Sequence, residues 1–253
     1  MEDAFPTPLP TILGTEFAGI VDAVGERVDS AQLGDAVVGW ADQPDGSYAE
    51  FALASTYTSK PATLGFEEAV TLPVAGRTLE RVLDELGVTA GDTLLIHGAA
   101  GAVGTVAVQL AVGRGATVIG TAGPDNQDYV RSLGAIATTY GPGLVERVRE
   151  LAPDGVDAVF DVAGKDAIPD SIELRGGTER IVTIADFAAP SFGVPFSRGG
   201  DSTVANLPDL LDRAAVGGIS TAVAATFPLA EAEQAQRVSE AGHARGKVVL
   251  SLP

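Results

Sequence analysis

Residues 93–104, TLLIHGAAGAVG, constrain this chain more than any other stretch. The apolar run Thr93–Ile96 reads as a buried strand, a Gly-rich turn comes next, and an Ala/Val/Leu segment from Gly101 to about Gly113 reads as a helix. The spacing Ala99-x-Gly101-x-x-Gly104 is a variant of G-x-G-x-x-G with alanine in the first place. In that strand–turn–helix context it forms a dinucleotide-binding fingerprint. Gly101, without a Cβ, lets a pyrophosphate lie against the backbone, and Gly104 lets the helix pack close to the strand. The helix N-terminus offers free N–H groups and the positive end of its dipole. The competing reading of the same residues is a tight strand–helix turn with no ligand.

The strand-then-helix rhythm of the fingerprint recurs downstream. Strand-like runs at 93–98, 116–122, 135–140, 156–164 and 179–186 alternate with helix-like segments at 101–113, about 125–133, 143–151 and 166–175. Repeated βα units predict a doubly wound parallel sheet with right-handed crossovers. Ahead of it, residues 12–57 read as β-structure in three short pieces, ILGTEFAGIVDAVG, LGDAVVGWA and GSYAEFALA. Residues 66–87 read as a helical pair, with Leu79, Val82, Leu83 and Leu86 at helical spacing and Gly87 as the stop. An irregular loop spans 187–200, with a short strand near Val194–Phe196, and a helix is expected at about 205–215. STAVAATFP reads as a strand, LAEAEQAQRVSEAG as a helix and GKVVLSL as a closing strand. The fold class expected is α/β: a doubly wound parallel (Rossmann) sheet inserted in a partial β-domain, with a cleft between the two. The divisions are 1–72 for the first part of the β-domain, 73–218 for the nucleotide-binding domain and 219–253 for the return segment.

Composition narrows the function classes. The formal net charge is −18 and no Lys/Arg cluster occurs, which argues against nucleic acid and anionic membranes as partners. The chain has no cysteine, so disulfides, thiolate catalysis and Cys-ligated metals are excluded. Two histidines, His97 and His243, lie in different segments and make a poor start for a zinc site, so no metal is expected. No apolar run of membrane-spanning length is present, and MEDAFPTPLP is unlike a signal peptide, which predicts a cytoplasmic protein.

Eight segments in order carry a resemblance to a known family: GTEFAGIVDAVG (14–25), LGDAVVG (33–39), GSYAEF (46–51), AGRTLERVL (75–83), HGAAGAVGTVAVQLA (97–111), RSLGA (131–135), VDAVFDVAG (156–164) and AGHARGKVVL (241–250). Through them the chain resembles the medium-chain dehydrogenase/reductase superfamily, in its zinc-free quinone-oxidoreductase-like branch. The resemblance implies a GroES-like β-domain beside the Rossmann domain, with NADPH and a small-molecule substrate in the cleft. It places Gly101, Ala102, Val103 and Gly104 at the pyrophosphate, Thr78 near the nicotinamide, and Ile184, Ala185 and Phe187 in the loop that meets the nicotinamide. Tyr140 falls near the adenosine phosphate. The 187–197 loop is expected at the substrate, through Phe192, and at a homodimer edge. It also implies about 50–60 residues ahead of GTEFAG, so the β-domain is expected to be incomplete, which bears on catalytic competence. The activity implied is transfer of a hydride from NADPH to a quinone or an α,β-unsaturated carbonyl without zinc. Two alternatives stand beside it: an enoyl reductase of a polyketide or fatty-acid-like pathway, and a cofactor-binding but inactive fragment or sensor.

Single residues refine this. The second strand ends in Thr121-Ala122-Gly123 with no acid to bind ribose hydroxyls, which favours NADP over NAD and places Thr121 and Gly123 at the cofactor. No Lys or Arg lies between Arg114 and Arg131 to attract a 2′-phosphate, and Asp125 opposes one or serves as a displaced ribose acceptor. His97 reads as a hydrogen-bonded histidine beside the turn rather than a general base, and His243, near Arg245 and Lys247, as a solvated residue or, alternatively, a phosphate or cofactor contact. Glu16 reads as a structural hydrogen-bond or ion-pair partner, Tyr48 as packing, and Asp161 as either a cofactor contact or a helix cap. Phe187, Phe192 and Phe196 either line an apolar pocket or form a dimer contact or a local hydrophobic plug.

Overall fold

The computed structural model describes residues 9–42, 46–199 and 206–252. By its contacts the chain divides into Met1–Arg77 with Asp201–Pro253, and Thr78–Gly200.

The first unit opens with an antiparallel meander of β1 (Glu16–Ile20), β2 (Ala36–Trp40) and β3 (Thr56–Ser59), paired from Glu16↔Trp40 and Val37↔Ser59. Val37, Val38 and Trp40 are buried on it, whereas Ile20, Phe51 and Leu53 are exposed. The expected strand GSYAEFALA does not form; β3 comes after it instead. Its backbone is already engaged elsewhere, with Ser47 and Tyr48 donating to the carbonyls of Gly14 and Leu13 and Leu53 accepting from Asp42. Those isolated tethers hold the segment in bends rather than a continuous ladder.

Helix α1 (Phe66–Ala69) is one turn long and α2 (Pro73–Glu85) comes next, starting on proline, whose missing N–H costs nothing there. The expected helical stripe is real: Leu79, Val82, Leu83 and Leu86 are all buried. Gly87 ends it in the left-handed region, at φ 59°.

The second unit holds five parallel strands, β4 (Thr93–His97), β5 (Thr117–Ala122), β6 (Ile136–Thr139), β7 (Ala158–Asp161) and β8 (Ile181–Thr183), in the order β6-β5-β4-β7-β8. Between them run α3 (Ala102–Gly113), α4 (Gln127–Ser132), α5 (Leu144–Leu151) and α6 (Ala167–Arg175). Leu95, Ile119, Val148, Val159, Ile168 and Ile181 form one core with almost no exposed surface. Counted within the unit, the strand order is 3-2-1-4-5, that of a doubly wound dinucleotide fold. The strand expected near 194–196 is a single bridge from Phe196 to Thr183.

The chain then forms α7 (Leu207–Ala215), β9 (Val223–Pro228), α8 (Ala232–Glu240) and β10 (Lys247–Ser251), with β9 and β10 paired in parallel. The nucleotide-binding domain is expected from sequence to run on to 218; by contacts α7 falls with the first unit. The reason is local. Asn206 Nδ2 donates to the Gly76 carbonyl at 3.0 Å, and Thr63 Oγ1 donates to that of Ala215 at 3.4 Å. Among the described residues no helix is long and apolar enough to cross a membrane.

Candidate cofactor site

The reversal of strand order beside β4 puts the carboxyl ends of β4, β5 and β7 where ligands bind in open α/β sheets. The turn leaving β4 is held by Ala99 donating to the Thr121 carbonyl at 2.9 Å and Gly101 donating to that of Gly98 at 3.1 Å. Gly101 is the extended N-cap of α3 and no side chain caps the helix. The amides of Ala102, Val103 and Gly104 therefore face outward from the first turn without intrahelical acceptors.

The two fingerprint glycines differ in what requires them. A Cβ on Gly104 would lie 2.1 Å from the Gly98 carbonyl oxygen, so helix and turn meet only because it is absent. A Cβ on Gly101 would meet nothing closer than that same oxygen at 3.4 Å. Packing demands a glycine at 104 and tolerates a side chain at 101, and the space kept open at Gly101 lies beside uncapped amides. That cradle fits a pyrophosphate.

Beneath the turn lies a buried polar chain. Thr121 Oγ1 accepts from the Gly98 amide at 3.3 Å and is 3.5 Å from His97 Nδ1, while His97 Nε2 is 3.0 Å from Ser171 Oγ. Burial lowers the His97 pKa to about 4, so the ring is neutral. His97 is the satisfied histidine expected, and Thr121 supports the turn with a side chain that is itself buried. Farther along, a Cβ on Gly123 would lie 3.8 Å from the exposed Tyr140 hydroxyl, so these two expected cofactor residues are neighbours.

Sequence reasoning missed two residues here. Gln127 Nε2 donates to the carbonyls of Ala122, Gly123 and Thr138, joining the ends of β5 and β6. Arg147 Nη2 donates at 2.8 Å to the carbonyl of Thr139, whose register partner is Ala122. The 114–131 window holds no cation, as expected, and α5 brings Arg147 to the strand ends from outside it. A hydrophobic stripe on α5, with Val145 and Val148 buried, was the signal that this helix packs there.

On the other side of β4, Asp161 Oδ1 accepts from the amides of Ala163 and Gly164 at 3.0 and 2.9 Å. It caps the turn after β7 and not a helix; the N-cap of α6 is Asp166. Burial raises the Asp161 pKa while its hydrogen bonds, led by the one from Thr183, pull it down. Ile184 and Ala185 are half-buried beyond β8, and Ile184 donates its amide to the Asp161 carbonyl at 3.0 Å. Phe187 stacks on Phe196 with centroids 4.8 Å apart, and Phe192 is exposed. Thr78 is buried on α2.

In the first unit, Glu16 accepts from the Val74 amide at 3.0 Å and pairs with Lys247, so Glu16 has the structural role expected of it. Lys247 is thereby drawn off the solvated face on which His243 remains. Among the described residues no group of three or more His, Asp or Glu side chains is arranged to hold a metal ion.

Comparison with known proteins agrees with this architecture. Residues 2–80 match the alcohol dehydrogenase GroES-like domain and residues 102–198 the zinc-binding dehydrogenase family. The quinone oxidoreductase of Coxiella burnetii is 32% identical with a TM-score of 0.83, over 97% of this chain and 80% of that one. The Escherichia coli quinone oxidoreductase complexed with NADPH is 26% identical with a TM-score of 0.83, over 99% of this chain and 85% of that one. Erythronolide synthase EryA2 of Saccharopolyspora erythraea is 30% identical over 97% of this chain, which spans only 7% of the synthase. The chain belongs to the medium-chain dehydrogenase/reductase superfamily, in its quinone-oxidoreductase-like branch.

Proposed function

We propose that the chain is an NADPH-dependent reductase that delivers a hydride to a quinone or an α,β-unsaturated carbonyl without zinc. The observation that carries this is the α3 N-terminus: three outward amides, no side-chain cap, and a glycine cradle that packing does not require. When bound, the nicotinamide would supply the hydride and a proton from solvent would complete the reduced product; the protein's own task is to bind and orient the reactants. In this reading the amides of Ala102, Val103 and Gly104 hold the pyrophosphate. Gly123 borders the adenosine ribose beside Tyr140, while the buried Thr121 acts from beneath, by holding the turn. Thr78 and the Ile184–Ala185–Phe187 segment orient the nicotinamide, and Phe192 meets the substrate.

Three features support NADP over NAD: no acidic residue ends β5, Arg147 lends positive potential nearby, and a solved relative was complexed with NADPH. Arg147 already donates to the Pro142, Thr139 and Gly141 carbonyls, so it contributes field rather than a bidentate grip. The absence of cysteine supports a zinc-free reaction. The assembly proposed is a cytoplasmic homodimer formed through the segment Gly193–Ser197.

A second reading, an acyl-chain enoyl reductase, is favoured by the match of 97% of this chain within a synthase. Nicotinamide fluorescence titration with NADPH and NADH, then turnover on a small quinone, an enone and an enoyl thioester, tests both. Selective NADPH binding with quinone or enone turnover supports the first reading, and thioester turnover alone supports the second. Folded protein that binds neither nucleotide refutes both.

A further inference from the structure

Thr183 ends β8 with its hydroxyl fully engaged. Its Oγ1 donates to Asp161 Oδ2 at 2.7 Å and accepts from the amides of Ala185 and Asp186 at 3.0 Å each. Asp161 Oδ1 holds the amides of Ala163 and Gly164. One carboxylate–hydroxyl pair, completely buried, thus gathers four amides from two loops. The loops touch: a Cβ on Gly164 would lie 3.2 Å from the Ala185 carbonyl oxygen. All the partners of Asp161 are donors, so it is matched as a carboxylate. A buried carboxylate is a weak source of stability, because desolvation offsets most of what its bonds contribute. It does impose geometry, because each oxygen has one arrangement that satisfies it.

We propose that Asp161 and Thr183 are positioning residues that lock the turn after β7 to the loop after β8 and thereby set the Ile184–Ala185 backbone for the nicotinamide half of the cofactor. This rests on the NADPH-dependent reading above. Their effect falls on orientation at the reacting end, while the pyrophosphate cradle at α3 supplies binding independently of them. Loss of the pair therefore lowers kcat more than it raises KM.

The variants are Asp161→Asn, Thr183→Val and Thr183→Ser. An Asn at 161 that keeps Ala163 and Gly164 satisfied must turn its amide donors toward a threonine oxygen that already accepts two. Valine removes the hydroxyl at nearly constant shape, and serine restores it. Hydrogen exchange of the 184–190 segment in cofactor-free protein should quicken in D161N and T183V and stay near wild type in T183S. With NADPH and a quinone, D161N and T183V should lose about tenfold or more in kcat with KM for NADPH within about threefold, and T183S should recover kcat. Unchanged exchange, unchanged kcat, or a loss seen only in KM would overturn the proposal, as would a kcat loss that serine does not repair. If wild-type protein neither binds nor oxidises NADPH, the functional reading fails and takes the nicotinamide role with it. The exchange data then distinguish that failure from failure of the Asp161–Thr183 lock itself.

Discussion

His97 Nε2 donates to Ser171 Oγ across 3.0 Å, because the serine hydroxyl places its own proton on the Ala167 carbonyl 2.6 Å away. One imidazole thereby links the end of β4 to α6 in a single tautomer, and its other nitrogen faces Thr121 under the glycine turn. The ring is held neutral, with a pKa lowered to about 4 from 6.5 by burial.

Acid should therefore destabilise the fold through this residue. The unfolded chain takes up a proton near pH 6.5 and the folded chain only near 4, so stability present at neutral pH is lost as pH falls between them, by about 3 kcal/mol in all. Urea unfolding of wild type and His97→Asn at pH 7, 5.5 and 4.5 measures it. The stability difference between the two proteins should shrink as pH falls; parallel curves would contradict a depressed pKa.

The two fingerprint glycines should separate folding from binding. Gly104→Ala forces a methyl group to 2.1 Å from the Gly98 oxygen, and should cost about 3 kcal/mol or more through overpacking. Gly101→Ala meets only a 3.4 Å contact, and should leave unfolding within about 1 kcal/mol of wild type. On the function proposed above, it should nevertheless weaken NADPH binding by about tenfold or more, because the methyl group would occupy the proposed pyrophosphate cradle. Thermal unfolding and fluorescence titration of both variants provide the check.

Arg180 ties the end of α2 to the approach to β4. Its guanidinium donates to the Leu86 and Gly87 carbonyls and pairs with Asp92 at 2.8 Å, which holds the Asp92 carboxyl below the usual range. Arg180→Ala should cost about 2–3 kcal/mol, since it strands carbonyls and a half-buried carboxylate together. The Asp92 contribution is present above its unfolded pKa and disappears as pH falls through the lower folded value. Chemical denaturation at pH 7 and pH 3 should show the variant's deficit narrowing in acid.

Lys247 gives the opposite pH signature. Burial lowers its pKa to about 8 although Glu16 faces it. Removing that partner by Glu16→Ala leaves an uncompensated ammonium in the first unit and lowers the folded pKa further. Protonation then favours the unfolded chain over a wider range, so the variant should be most impaired near pH 6–7 and partly recover near pH 9–10. A deficit independent of pH would assign the role of Glu16 to its bond with the Val74 amide alone.

Much of the architecture is legible in sequence because its signals are local. Buried parallel strands such as Thr93–His97 and Ala158–Asp161 are short apolar runs, and left-handed glycines at 87, 134 and 176 sit near the helix ends. The antiparallel meander is harder to read. GSYAEFALA has strand composition, yet its backbone pairs with Leu13, Gly14 and Asp42 in isolated bonds, a choice invisible in its own residues.

By itself the sequence determined the strand–turn–helix fingerprint, the βα order, the lack of any thiol chemistry and the missing acid at the end of β5. Each depends on residue type over a few neighbouring positions. Only the tertiary structure decided that Arg147 reaches the carbonyl of Thr139, that Ser171 orients His97, and that Thr183 completes Asp161. Those pairs lie 8, 74 and 22 residues apart. Strand order brings the last two pairs together, since β7 lies between β4 and β8, and β6 lying beside β5 sets Thr139, with the Arg147 it holds, next to Ala122. Polar groups buried at those strand ends must then find partners across the sheet rather than along the chain.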